Sequence, residues 1–308
     1  MASRLAFAQA PKAVRRIGAL YPGKPGTPEE IGKEAEPLRE LGWVEGQNID
    51  VERRFDNGQP GRLQALAEEL VRANVEIIVT AGSEATLAAK RATITVPIVM
   101  RSSGDPVLLG LVASLARPGG NVTGFSIAGP ELFSKELSLL KELLPRLERI
   151  GVLWEAGNTY GRATRSQVEN LCQSVNLEPT FAEIGAVGEI DAAVVQLVRQ
   201  RVQAVVLYSS AFVIDHGAEI VGAATKRGLP TMALEPESGA LIIYNITDAE
   251  TNRVRANYID RILRGAKPAD LPVRQPTRFE LSINLKTARE LGITVPQSLL
   301  MQADRVIR

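Results

Sequence analysis

The feature that most constrains how this chain can fold is a repeated alternation of short, β-rich apolar runs with longer segments of helical period. Residues 17–21 read as a strand, 29–41 as a helix stopped by Gly42, and 49–53 as a strand. Residues 62–73 read as an amphipathic helix with Leu63, Leu66, Ala67, Leu70 and Val71 on one face. A strand over 75–80, a helix over 84–92 and a strand over 96–100 follow. Strands separated by helices cannot pair as tight hairpins. They imply parallel sheets covered by helices on both faces.

The texture changes over 116–125, ARPGGNVTGF, where three glycines and a proline lead into a short strand. The alternation then resumes. A helix is predicted over 130–144, a strand over 149–154, a helix over 162–175 and a strand over 180–184. Ile190, Ala193, Val194, Leu197 and Val198 mark the next helix. Strands at 202–208, from 230 and at 241–244 and helices up to 226 and over 248–263 complete the series. A chain of 308 residues is long enough for two α/β units. The expected fold is therefore α/β, with two doubly wound parallel-sheet lobes joined by a hinge. The first lobe is expected over 16–125 plus about 247–275, and the second over 126–246 plus about 276–308. The tail from 279 to 308 is expected to add one strand and one or two short helices to an existing lobe.

Composition excludes several functions. With 36 basic and 35 acidic residues, a net charge of +1 gives no electrostatic case for nucleic acid or an anionic membrane surface. Cys172 is the only cysteine and His216 the only histidine, so neither an intrachain disulfide nor a multi-histidine metal site can form, and no cofactor is expected. Cys172 lies with Val168, Leu171 and Val175 at helical spacing and reads as a small buried hydrophobe. There is no GxGxxG and no GxxxxGK[ST], and Gly124-Phe-Ser126-Ile-Ala128 lacks the last glycine of a nucleophile elbow. No enzymatic activity is expected. Residues 1–15, with Arg4 before a short apolar stretch and Ala8-Gln-Ala10, resemble an incomplete export signal, which predicts a periplasmic location.

Ligands of open parallel sheets bind beyond the carboxyl ends of the strands. The loops there in the first half carry Tyr21, then Gly82, Ser83 and Glu84, then Ser102, Gly104 and Asp105. In the second half they carry Asn158 and Tyr160, then Tyr208, Ser209 and Phe212, then Glu235, with Tyr244 ending a further strand. Ser83 and Ser102 open predicted helices, where backbone N–H groups favour a carboxylate. Ordinary N-capping accounts for the same serines, and Asp105 before Pro106 reads as a cap. Glu235 can meet an ammonium or stand in solvent. The tyrosines and Phe212 serve equally as a ligand wall or as core.

Several runs have a further meaning. Leu41-Gly-Trp-Val-Glu-Gly-Gln-Asn-Ile49, Gly104-Asp-Pro-Val107 and the glycine-rich run from Gly110 to Gly124 resemble segments of a bacterial ABC-transporter substrate-binding family. So do Gly265-Ala-Lys-Pro-Ala-Asp-Leu-Pro-Val273 and Phe279-Glu-Leu-Ser-Ile-Asn-Leu-Lys-Thr-Ala288. The resemblance implies a type I periplasmic-binding fold, a monomer, and delivery of a solute to a membrane permease. Some members resemble tryptophan or other aromatic amino-acid binders. It favours Tyr21, Ser83, Ser102 and Asp105 as pocket residues. Closure needs only a few residues that absorb rotation at the crossovers, and these are expected near 125–126, 244–247 and 274–279. The chain departs from the family pattern at Trp154-Glu-Ala-Gly-Asn-Thr159, at Ser209-Ser-Ala211 and in the loop between Met232 and Gly239. All three departures fall on the second lobe. The alternative is the ligand-sensing domain of a regulator that has lost its DNA-binding part, since only about 15 residues precede the first strand.

Overall fold

The computed structural model describes residues 14–102, 104–127, 129–246 and 248–308. The expected signal remnant up to residue 13, and Thr247 of one expected hinge, lie outside the described residues.

The first sheet is built from β1 (Arg15–Tyr21), β2 (Ile49–Phe55), β3 (Ile77–Ala81), β4 (Ile98–Ser102) and β5 (Val122–Ser126). Its order is β2-β1-β3-β4-β5 and every pairing is parallel. Successive side chains of a strand point to opposite faces, and β3 uses this directly. Ile78 enters one core with Leu66 and Leu70 of α2 (Leu63–Arg72) and Ala85 and Ala89 of α3 (Gly82–Ala92). Its neighbours Ile77 and Val79 enter the opposite core with Leu38 of α1 (Pro28–Glu40) and Ile259 and Ile262 of α8 (Asp248–Leu263). Each fully buried aliphatic side chain contributes roughly 1.5–3 kcal/mol.

The second sheet repeats the plan with β6 (Arg149–Glu155), β7 (Glu178–Ile184), β8 (Ala204–Leu207), β9 (Thr231–Ala233), β10 (Ile242–Asn245), β11 (Glu280–Asn284) and β12 (Arg305–Ile307). Its order is β12-β11-β10-β9-β8-β6-β7. Only β10 and β11 pair antiparallel among the described residues. One face is covered by α4 (Gly129–Leu143), α5 (Thr159–Ser174), α9 (Leu285–Glu290) and α10 (Gln297–Gln302). The other is covered by α6 (Ile190–Arg199) and α7 (Ala211–Thr225). Cys172 is fully buried in the α4–α5 core, and burial pushes its thiol up to about 12. The tail holds two strands, one more than the sequence reading gave, because Arg305–Ile307 pairs with β11.

The chain passes between the sheets three times: from β5 to α4, from β10 to α8, and from Arg274 to β11. The last crossing is tied to the first sheet before it leaves. Arg274 N–H donates to the Gly124 carbonyl, and Ser126 N–H donates to the Arg274 carbonyl, each at 2.9 Å. The helix expected after Pro106 is a run of turns, in which Leu109 N–H bonds the Asp105 carbonyl and Gly110 takes φ +65°. No helix among the described residues is long and apolar enough to cross a membrane.

Candidate functional site

The carboxyl ends of the two sheets face each other, and their loops touch. The clearest contact joins two helix starts. Glu84 stands in the first turn of α3, and its Oε1 accepts the Thr159 N–H of α5 at 2.7 Å. Its Oε2 accepts the Thr159 hydroxyl at 3.1 Å. A carboxylate on the exposed N–H groups of a helix is favoured by the helix dipole as well. Next to it, Tyr160 is 4 % exposed and its ring lies flat against Gly104, where a built Cβ would sit 2.5 Å from Cδ2. The Tyr160 hydroxyl meets the Tyr208 hydroxyl and the Asp105 backbone. On the outer side Gly23 lies beneath Asp215 of α7.

Behind Tyr160 is an aromatic wall. Tyr160 stacks on Tyr208 with ring centroids 5.9 Å apart and planes at 25°. Tyr208 meets the edge of Trp154 and leans on Phe133. Its hydroxyl bonds the Thr164 hydroxyl at 2.9 Å. Burial pushes both phenols up, so they are neutral donors at any physiological pH.

Carboxylates line the second-sheet side. Glu235, just after β9, accepts the Ser209 hydroxyl at 3.3 Å, and the charge of Arg101 at the end of β4 reaches it from the first lobe. Burial outweighs these and pushes its carboxyl up to about 7. Glu136 is deeper, on the inner face of α4 and only 5 % exposed. Desolvation first, then the charge of Glu235, pushes it up to about 8. Glu155, at the end of β6, is raised by burial, and it faces Ser210 and the Phe212 N–H at the start of α7. No group of three or more His, Cys, Asp or Glu among the described residues is placed to hold a metal ion.

A cavity of about 260 Å³ lies in the first lobe under α1, lined by Tyr21, Leu38, Trp43 and Arg255 among others. Its polar groups satisfy one another. Tyr21 Oη donates to Glu34 at 3.2 Å, Arg255 pairs with Glu34 at 3.4 Å and Arg53 with Glu45 at 2.6 Å. Polar groups already paired leave little for a ligand to satisfy, so the cleft is the candidate site.

A model of the family described as "ABC transporter substrate binding protein" matches residues 27–307. The chain belongs to this family. It is 26 % identical over 83 % of its length to a tyrosine-binding protein of Clostridioides difficile, covering 74 % of that protein. It overlays a Streptococcus pneumonia ABC domain solved in complex with L-Trp with a TM-score of 0.86, at 25 % identity, covering 96 % of this chain and 100 % of that one. A conserved domain protein from Vibrio cholerae gives 0.87 at 24 % identity, covering 95 % and 99 %. A ligand-free, open substrate-binding protein from Clostridium difficile gives 0.67 at 22 % identity, covering 96 % and 99 %. All share the periplasmic-binding fold.

As an ABC transporter's solute-binding protein, the chain takes a small molecule and works with a permease; such proteins are typically exported. The structure sorts the residues expected to hold that molecule. Tyr160, Tyr208, Ser209, Glu235 and Gly104 come together at the apposed edges. Ser83 is buried one residue into α3, after Gly82 at φ +76°. Ser102 ends β4. Tyr244 stacks on Phe279 at 5.1 Å, near Glu136. Others are occupied elsewhere. Tyr21 stacks on Phe55 and faces Glu34. Asn158 caps α5 through Gly161 N–H at 2.7 Å. Asp105 caps its turn through Val107 N–H at 2.8 Å, the structural role read for it. Phe212 packs on His216 and the α6–α7 core. Glu84 bridges the lobes. Sequence reasoning missed Glu136. Its signal is a carboxylate at i+3 and i+4 from Phe133 and Leu132, on the apolar stripe of its own helix.

Proposed function

We propose that this protein captures an amino acid with an aromatic side chain between its lobes by hinge closure and delivers it to an importing permease. It acts as an exported monomer, without nucleic acid. The observation that carries the reading is the stacked Tyr160–Tyr208 pair at the apposed edges, with Glu235 beside it. Flat aromatic surfaces favour offset contact with another ring. Ser83, at the first-lobe edge, receives the carboxylate. The bodies 16–125 with 247–275 and 126–246 with 276–308 turn about the three crossings. The tyrosine-binding and L-Trp-bound relatives support the ligand class.

Ligand that binds only the folded protein stabilises it by about 2.7 kcal/mol at a hundredfold excess over Kd. L-tryptophan or L-tyrosine is expected to raise Tm, whereas L-alanine is not. The absence of a shift from every amino acid, with well-folded protein, removes the reading. Glu84→Ala leaves the Thr159 N–H and hydroxyl without their acceptor when the lobes close. A closed state weakened by about 1–3 kcal/mol lowers ligand affinity by roughly 5- to 150-fold. Glu84→Gln keeps one acceptor oxygen and is expected to lose less. Titration calorimetry of the two variants checks the order.

A further inference from the structure

Glu136 has no reason to be where it is unless something else joins it. It occupies the inner face of α4 between Phe133 and Leu137, at 5 % exposure. None of the described hydrogen bonds or ion pairs includes it. The groups whose charge couples to it lie at the ends of three strands. Tyr208 ends the β8 segment, Glu235 follows β9 and Tyr244 stands in β10. From α5, Thr164 and Tyr160 turn their hydroxyls to Tyr208, and from α10 Gln302 is bonded to Glu142 at the distant end of α4. Arg101 is the cation in this group, and it acts on Glu235. The Glu136 oxygens are not among the sealed, unpartnered side-chain atoms of the described residues, so they keep access to solvent space, where a half-desolvated carboxylate without a donor is costly. A leucine here would continue the apolar stripe and stabilise the helix packing.

We infer that Glu136 is the anchor for a basic nitrogen of the ligand, which it receives beside Glu235, so that this cleft takes amine-bearing ligands and rejects aromatic acids that lack the amine. The inference rests on the reading of the cleft as the ligand site, and it adds the residue and the group it selects. The amine brings N–H donors and a positive charge to Glu136, which no described donor or cation meets, whereas Glu235 already has the Ser209 hydroxyl and the Arg101 charge. Tyr208 and Tyr160 form the adjoining wall for the rest of the molecule.

A proton linkage follows. Before the ligand enters, burial holds the pair partly protonated, with Glu136 up to about 8, where the Glu235 charge adds to the effect of burial, and Glu235 up to about 7. The cation needs the ionised forms, so binding releases protons to solvent. Affinity for the amine is therefore expected to rise with pH up to about 8. The effect on folding has the opposite sign. A carboxyl raised above its unfolded value gives stability that is present at low pH and lost as pH climbs toward 8. Glu136→Gln removes that loss, so its Tm is expected to exceed that of the wild type at pH 8.

The test uses the full chain and titration calorimetry with three probe series. These are L-tryptophan and L-tyrosine, their des-amino acids indole-3-propionate and 3-(4-hydroxyphenyl)propionate, and the amines tryptamine and tyramine. Wild type is expected to bind an amine-bearing series and to ignore the des-amino acids. Heats measured in buffers of different ionisation enthalpy are expected to report protons released, and this arm needs no variant. Glu136→Gln is expected to lose about 10- to 100-fold in affinity, the scale of a charged hydrogen bond, and to lose the pH dependence while gaining Tm. Equal binding by wild type and Glu136→Gln with the same pH profile overturns the inference and leaves the amino-acid reading standing. Binding of the amines but not the amino acids overturns that reading and leaves Glu136 as anchor. Des-amino acids that bind as tightly as the amino acids overturn the inference, and a folded protein that binds none of the probes overturns both.

Discussion

Gly124→Ala is expected to abolish accumulation of folded protein, although it adds a single methyl group. Gly124 sits in β5 with φ +136°, a conformation that L side chains rarely adopt. A Cβ there would lie on the Met100 carbonyl oxygen of β4 and 2.6 Å from the Met100 nitrogen. Both are backbone atoms of Met100, which with Ile98 and Val99 is buried in β4, and they cannot step aside. The same glycine accepts the Arg274 N–H that ties the third crossing to the first lobe. Relief of the clash therefore breaks β4–β5 pairing or that tie. The loss is expected to reach about 4 kcal/mol or more, a large share of the 5–15 kcal/mol that holds a typical domain. Gly222→Ala is the matched control. Gly222 lies in α7 with nothing within 4 Å of its built Cβ and no positive φ, so alanine there is expected to be neutral or to stabilise by about 0.5–1 kcal/mol. Circular-dichroism melts and soluble yield of the two variants decide the matter. A Gly124→Ala protein that melts like wild type would refute the packing account.

Gly104→Val is expected to fold normally and to bind ligand about a hundredfold more weakly. The neighbour that valine meets is the Tyr160 ring from the other lobe, 2.5 Å from the built Cβ. The clash exists only while the lobes are together. Opening removes it at no cost to either core, so the substitution acts on closure and leaves folding alone. Overpacking of this kind costs about 1–3 kcal/mol, and a binding-competent state made rarer by that amount lowers apparent affinity by 5- to 150-fold. Small-angle scattering is expected to report a larger radius of gyration without ligand. Tyr160→Ala in the Gly104→Val background removes the obstacle and is expected to restore the compact form, though not the affinity, because Tyr160 is half of the aromatic wall. An unchanged radius for Gly104→Val would mean that Gly104 and Tyr160 do not meet when the lobes close.

Much of this was legible in the residues. The alternation of periods placed nearly every strand and helix, because period 2 and period 3.6 are local properties that survive without knowledge of partners. It also located the loops at the strand ends, and the motif runs from Leu41 to Ala288 pointed to the family. What local sequence could not sort has one cause. A residue at a helix start has the same local signature whether it holds a ligand or its own backbone. Asn158 and Asp105 cap their own turns, and Glu84 caps a helix of the other lobe. Their sequence contexts do not separate these outcomes. The helix expected after Pro106, where the chain forms turns instead, is similar, since the positive φ of Gly110 is visible only in the folded chain.

The sequence by itself determined two doubly wound α/β units, the edge where their strands end, and the family to which the chain belongs. The tertiary structure alone decided what each edge residue packs against. Tyr21 and Phe212 turned to neighbours in their own lobes, whereas Tyr160 and Tyr208, separated by a strand, a helix and another strand, became one wall. It also brought Glu136 to Glu235 across about a hundred residues of chain. Periodicity states which face of a helix is buried. What that face meets depends on how distant segments pack, and an unpaired carboxylate acquires its meaning only there.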